Sequence, residues 1–134
     1  MSGAPPWTFT GPGILFIIDV GDKGDEFSAY DNNTLLGPTS DVTNSGANTC
    51  GFSIGCSIGD AGYSRGTFNI AGTGSHSITI QVTQNAQGTT GGNAFFSLSA
   101  APSGVPEPGT WFLMTAGLAA LGIGRLRRRK DALR

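Results

Sequence analysis

The sequence predicts an all-β protein, a small antiparallel β-sandwich of the jelly-roll or immunoglobulin-like kind, followed by one C-terminal transmembrane helix. Short apolar or alternating segments, separated by turn residues, predict the sandwich. Composition agrees with it, since 22 of 134 residues are glycine and only 13% are charged. A long uncharged run before a basic cluster predicts the helix. The sandwich domain is assigned to residues 1–101.

The strand-like segments follow each other closely along the domain. They cover residues 7–10, 14–20, 26–30, 34–37, 63–70, 75–83 and 94–99. The continuous apolar run 14–20 predicts a central strand, because its β-branched residues suit burial on both faces. Residues 26–30 and 34–37 are predicted to pair as a hairpin around a tight turn. No helix is expected before Trp111.

Two segments also predict which side chains face the core. In the clearest alternating strand, Ile78, Ile80 and Val82 are expected to point inward, and the threonine and glutamine residues between them to face water. In the last strand, Phe96 and Leu98 are expected inward. The period of two in strands therefore defines one buried face for each of these segments.

The two cysteines lie in an irregular stretch between the hairpin and the next strand. Cys50 and Cys56 are the only cysteines in the chain. An even count in an exported protein favours a disulfide. Closing so short a loop stabilises the fold by only about 2 kcal/mol. A zinc site is a poorer interpretation, because two thiols without further Cys or His ligands do not complete a tetrahedral set.

Three aspartates around a glycine-rich turn suggest a calcium site. Asp19, Asp22 and Asp25 lie three residues apart, and clustered carboxylates suit Ca²⁺, which takes six to eight oxygen ligands. The spacing does not match an EF-hand loop. The alternative is that Asp22 and Asp25 are ordinary turn residues and that Asp19 caps a strand end. Otherwise no cofactor is expected.

The domain shows no recognisable set of catalytic residues, so we do not expect this protein to be an enzyme. His76 is the only histidine and no G-x-S-x-G motif accompanies it. Arg65, the only arginine of the domain, is expected to pair with an acidic side chain, and the alternative is that it contacts a sugar. Trp7, Tyr30 and Tyr63 could supply a surface on which sugars stack, although that idea rests on analogy between folds alone.

Charge is distributed very unevenly along the chain. Before residue 104 there are seven acidic and two basic side chains, a net charge of −5 for the domain. Six of the eight lysines and arginines lie at or after Arg125. An acidic domain argues against nucleic-acid binding, which needs a positive surface. The basic cluster behind an apolar run instead predicts membrane topology, with that end in the cytoplasm.

The C-terminal region divides into a linker with a Pro-Glu-Pro motif (102–109), a transmembrane helix (110–126) and a basic cytoplasmic tail (127–134). The motif residues are Val105, Pro106, Glu107 and Pro108. The anchor residues are Trp111, Phe112, Leu113, Leu118, Leu121 and Ile123. The positive residues after them are Arg125, Arg127, Arg128, Arg129 and Lys130. A helix of about 17 residues spans about 25 Å, short for a bilayer but accommodated by local thinning.

This ordered tail resembles the PEP-CTERM sorting signal of exported proteins in Gram-negative bacteria. The resemblance implies recognition by an exosortase, transit through the inner membrane, and release or attachment at the cell surface. The family's association with exopolysaccharide implies a matrix role and a polysaccharide partner. The domain more weakly resembles the ectodomain that often accompanies this tag, for which no activity is implied. The alternative function is a carbohydrate- or calcium-binding adhesion module.

The N-terminal residues lack the features of an export leader. Residues 1–7 contain no basic segment and no apolar segment of the kind found in signal peptides. A C-terminal export signal without an N-terminal one leads us to expect that this sequence is a fragment or that its start is misassigned.

Overall fold

A computed structural model describes residues 6–101 of the chain. It contains seven β-strands and one short helix. In chain order these are β1 (Trp7–Thr10), β2 (Gly13–Asp19), β3 (Glu26–Asp31), β4 (Thr34–Pro38), α1 (Ile54–Gly59), β5 (Arg65–Ile70), β6 (Ser75–Gln84) and β7 (Ala94–Ala100). The predicted linker, transmembrane helix and basic tail lie outside the described residues.

The strands form two antiparallel sheets. One has four strands in the order β1-β6-β3-β4, and the other has three in the order β5-β2-β7. A single hydrophobic cluster joins them, with Phe27 and Ile80 from the first sheet and Leu15 and Phe68 from the second. Because both sheets contribute to one core, they face each other. The prediction of an all-β protein with antiparallel sheets is confirmed.

The position of β2 follows from its composition. It lies between β5 and β7, as the continuous apolar run predicts. Ile17 and Ile18, which point to opposite faces, are both fully buried. Burial on two faces explains why this segment lacks the alternation seen in β6.

The β3–β4 hairpin turns at Asn32 and Asn33, as predicted. These residues have φ values of 47° and 64°, and the flanking Asp31 and Thr34 are paired. Positive φ at both central residues is the type I′ turn, which asparagine tolerates better than most residues and which matches the twist of the strands.

The side-chain directions predicted for β6 and β7 agree with the structure. Ile78 and Ile80 are buried, and Val82 and Phe96 pack against the core while partly buried. Leu98 also lies on the core face, opposite Leu15 of β2, but it is 39% exposed. It lies on β7, which bonds only to β2, so an edge strand leaves this side chain without a neighbour on one side.

The expectation that no helix precedes Trp111 is wrong. Helix α1 occupies residues 54–59, inside the irregular stretch between β4 and β5. The Ser53 side chain caps it by accepting a hydrogen bond from the Cys56 amide. A helix of six residues is too short to show a helical period in its sequence, and glycine at Gly55 and Gly59 further weakens the signal.

Candidate functional site

One end of the sandwich collects the loops that follow β2, β4 and β6. Backbone and side-chain hydrogen bonds connect them to each other. The pairs are Val20 N to Asn93 O, Gly21 N to Gly51 O, Lys23 N to Ala47 O, and Asn44 Nδ2 to Asn85 O, at 2.8–3.0 Å. The three predicted calcium ligands lie on the first of these loops or next to it, so the site is built where separate parts of the chain converge.

Asp19, the last residue of β2, is completely buried. Its amide donates to the Ser64 carbonyl at 2.8 Å, but neither carboxyl oxygen has a hydrogen-bond partner among the described residues. Burial raises the pKa of Asp19 to about 7, and the negative charges of Asp25 and Asp22 add to that rise. The nearby amides of Gly24 and Asp25 offset the rise only in part, since neither makes a hydrogen bond of ordinary geometry to the carboxyl group.

Asp25 is equally buried but has hydrogen-bond partners. One carboxyl oxygen accepts from the Ala86 amide at 2.6 Å and the other from the Asn93 amide at 3.0 Å. Burial raises the pKa of Asp25, and these two hydrogen bonds counteract the rise. Asp25 therefore holds both ends of the β6–β7 loop, a role closer to the turn-residue alternative than to a free metal ligand.

The three aspartates do not form a recognisable metal cage. Asp22 raises the pKa of both other carboxyls. Within residues 6–101, no group of three or more His, Cys, Asp or Glu side chains is arranged to hold a metal ion. If calcium binds here, carbonyl or amide oxygens must supply much of its coordination.

The predicted disulfide between Cys50 and Cys56 is present, with 5.5 Å between the Cα atoms. Tyr63 connects the disulfide loop to the loop that follows β2. Its phenol oxygen accepts from the Cys50 amide at 3.1 Å and donates to the Gly21 carbonyl at 3.0 Å. Next to it, Lys23 pairs with Asp60 at 2.6 Å. The disulfide loop is thus one wall of the loop-rich end.

Tyr63 cannot contribute to the sugar-stacking surface suggested by the sequence. Tyr63 is fully buried, because its hydroxyl is needed inside to satisfy backbone groups of two loops. Trp7 packs on Phe96 with ring centroids 4.2 Å apart. Arg65 donates to the Ile58 carbonyl, and it has no acidic partner in the described part of the chain.

A buried His–Asp pair lies where β3 ends and β6 begins. His76 Nδ1 is 2.7 Å from Asp31 Oδ2, while the other oxygen of Asp31 accepts from the Ser77 amide at 3.2 Å. Phe9 stacks on the imidazole at 4.8 Å. His76 Nε2 is buried without a partner among residues 6–101, so no hydroxyl completes a triad there. Sequence reasoning missed this pair, since 45 residues separate its members.

The tail is the part of the chain that matches a known family model. Residues 104–130 match the family model described as the PEP-CTERM protein-sorting motif. The chain carries a PEP-CTERM sorting motif. The matched range includes every residue predicted for the Pro-Glu-Pro motif, the apolar anchor and the positive cluster, all of which lie outside the described residues. The PEP-CTERM motif implies an exosortase as processing partner and is consistent with export to the cell surface through the membrane.

Two further comparisons found no similar protein. No curated protein and no solved structure matches the chain. Within residues 6–101, the structure has no helix with the length and apolar character needed to cross a membrane.

Proposed function

We propose that this protein is a non-catalytic surface or matrix protein. In this proposal the β-domain crosses the inner membrane, an exosortase acts at the Pro-Glu-Pro segment, and the domain is released or attached at the cell surface. The match of residues 104–130 to the PEP-CTERM sorting motif carries the proposal. We place it in the extracellular matrix, in contact with exopolysaccharide.

The order of residues in the tail supports this topology. An apolar helix over 110–126 would place Trp111 at one interface and Arg125 at the other. Positive residues are retained on the cytoplasmic side of a membrane. The β-domain, at the opposite end of the anchor, therefore belongs on the outer side of the inner membrane before processing.

The chemistry of the domain supports the absence of catalysis. A general base must reach the proton it abstracts, but His76 is 6% exposed and its Nε2 is buried. The carboxylate of Asp25 is occupied by two backbone amides. A domain that uses its polar side chains to hold loops together suits a structural role.

The test is to express the full chain, preceded by an export leader, in a host that contains a PEP-CTERM exosortase. Fractionation followed by intact-mass measurement should find a mature C-terminus near residues 106–109. Pro106→Ala combined with Glu107→Ala should leave the full-length chain in the membrane. Pro102→Ala, outside the matched range, is the control and should be processed normally. A processed double variant, or a wild-type chain that is never processed, would overturn the proposal.

We propose calcium binding as a second function, because Asp19 has two buried oxygens with no partner. A cation beside this carboxyl would satisfy both oxygens and offset the repulsion from Asp25. Adding Ca²⁺ should then raise the melting temperature at pH 7, whereas Mg²⁺ should not, since it requires a tighter octahedral shell. Asp19→Asn should abolish the effect. An identical melting temperature in calcium and in chelator would rule the site out.

A further inference from the structure

The described residues contain four sheet edges, and three of them have features that hinder pairing with another strand. Strand β1 has only four residues, and β4 contains a bulge and ends at Pro38. At the start of the β5 edge, the Ser40 amide donates to the Arg65 carbonyl and the Ser40 hydroxyl accepts from the Arg65 amide. Short strands, bulges, proline and covering loops are the usual ways in which proteins prevent pairing at an edge.

Strand β7 has none of these features. Its seven residues contain no charge, no proline and no bulge against β2. Two large apolar side chains on it are exposed, Phe95 at 38% and Leu98 at 39%. An uncharged, regular edge of this length is a template for another strand.

The backbone pattern shows which groups of β7 point away from its sheet. Just before the strand, Val20 N donates to Asn93 O, and just after it Ala101 N donates to Pro12 O. Antiparallel ladders alternate, so odd-numbered residues of β7 direct their N–H and C=O groups toward β2. Ala94, Phe96, Leu98 and Ala100 therefore direct theirs outward, and no strand of the described residues pairs with them.

We infer that β7 pairs antiparallel with β7 of a second copy of this chain, about a two-fold axis at Ser97. In this register the outward groups of Phe96 face those of Leu98 in the second copy, and Ala94 faces Ala100. Four residues with one donor and one acceptor each would form about eight hydrogen bonds. The two three-stranded sheets become one continuous six-stranded sheet. This inference goes beyond the proposed function and does not depend on it.

Side-chain positions favour a second copy as the occupant. The register places the exposed Leu98 opposite the Phe96 of the other chain on the core face, and it places Phe95 opposite Ser99 on the outer face. Isologous pairing requires a surface that is complementary to itself. The β7 segment meets this requirement, because its outward residues are symmetric about Ser97 and it carries no charge that would repel a second copy.

Single cysteines test the register directly in the full chain, purified in dodecyl maltoside with oxidised glutathione. The native cysteines are already bonded to each other. In Ser97→Cys, two non-hydrogen-bonded residues would face each other at about 4.5 Å between Cα atoms, close enough for a disulfide. In the matched control Ser99→Cys, the two introduced cysteines of the dimer would be about 13 Å apart. We expect at least about fivefold more cross-linked dimer from Ser97→Cys.

Charge variants test the assembly without cross-linking. Ser97 is exposed, so Ser97→Lys should fold but would place two ammonium groups face to face. We expect at least about tenfold weaker dimerisation by sedimentation equilibrium. The control Gln81→Lys adds the same charge to an exposed position of β6, a central strand, and should dimerise like wild type. A monomeric wild type, equal cross-linking at positions 97 and 99, or equal dimerisation of the two lysine variants would overturn the inference.

Discussion

Asp19 lies in an environment unusual for an aspartate, because it is fully buried and neither carboxyl oxygen has a hydrogen-bond partner among residues 6–101. An ionised carboxyl group buried without a partner is costly, so the folded protein holds a proton there up to higher pH than the unfolded chain. The pKa of this carboxyl rises from 3.8 to about 7 on folding. Between these values the folded state binds more protons than the unfolded state, and the free energy of unfolding therefore falls as pH rises.

We predict that Asp19→Asn removes most of this pH dependence. Each pKa unit corresponds to about 1.4 kcal/mol, so the wild-type chain should lose on the order of 4 kcal/mol from this residue between about pH 4 and about pH 8. Urea unfolding in chelator at several pH values measures the change. Asp41→Asn, at an exposed position, is the control and should behave like wild type. Parallel pH profiles for Asp19→Asn and wild type would contradict the prediction.

At the scale of single elements, the disulfide loop and the β3–β4 turn are held by local constraints. The bond between Cys50 and Cys56 closes a sequence separation of six residues, and α1 begins within that closed loop. The turn at Asn32 and Asn33 instead requires positive φ at both residues, which asparagine tolerates better than most residue types. Both constraints are readable from the local sequence.

Removing the disulfide should weaken the domain without unfolding it. For the double variant Cys50→Ala and Cys56→Ala, we expect a loss of about 2 kcal/mol in the free energy of unfolding. Chemical denaturation with and without reductant gives the measurement. Wild type should lose the same amount when reduced, while the double variant should be insensitive to reductant. A variant as stable as the oxidised wild type would show that the bond contributes nothing to stability.

Substitutions at Asn33 should separate backbone strain from packing, because this side chain is exposed. Its φ of 64° suits glycine and opposes β-branched residues. Asn33→Gly should raise the free energy of unfolding by roughly 0.5 kcal/mol, and Asn33→Val should lower it by about 1–2 kcal/mol. Thr34→Val, next to it in β4, should change little. Equal melting temperatures for the two Asn33 variants would contradict the assigned turn.

At the scale of the whole molecule, the β-domain and the sorting motif occupy separate parts of the chain. The domain, with a net charge of −5, contains both cysteines, whereas six of the eight basic residues lie in the tail. The residues that match the sorting motif, 104–130, all lie after the domain in the chain.

We therefore predict that the tail acts independently of the domain it follows. Grafting residues 102–134 behind an unrelated exported domain should cause that domain to be processed in a host with the matching exosortase. Mass spectrometry should place the new C-terminus at the same site as in the native chain. A graft with Pro106→Ala and Glu107→Ala is the control and should remain full length. Failure of the unmodified graft would show that the β-domain contributes to recognition.

Sequence alone determined the strand segments, the hairpin at residues 26–37, the disulfide and the sorting motif, because each depends on residues close together in the chain. Tertiary structure decided the exposure of Leu98, the helix at 54–59 and the pairing of His76 with Asp31. It also decided that Asp19 is buried without a partner while Asp25 is saturated by amides. These features depend on which distant segments meet, and side-chain type and short-range spacing carry little information about such contacts.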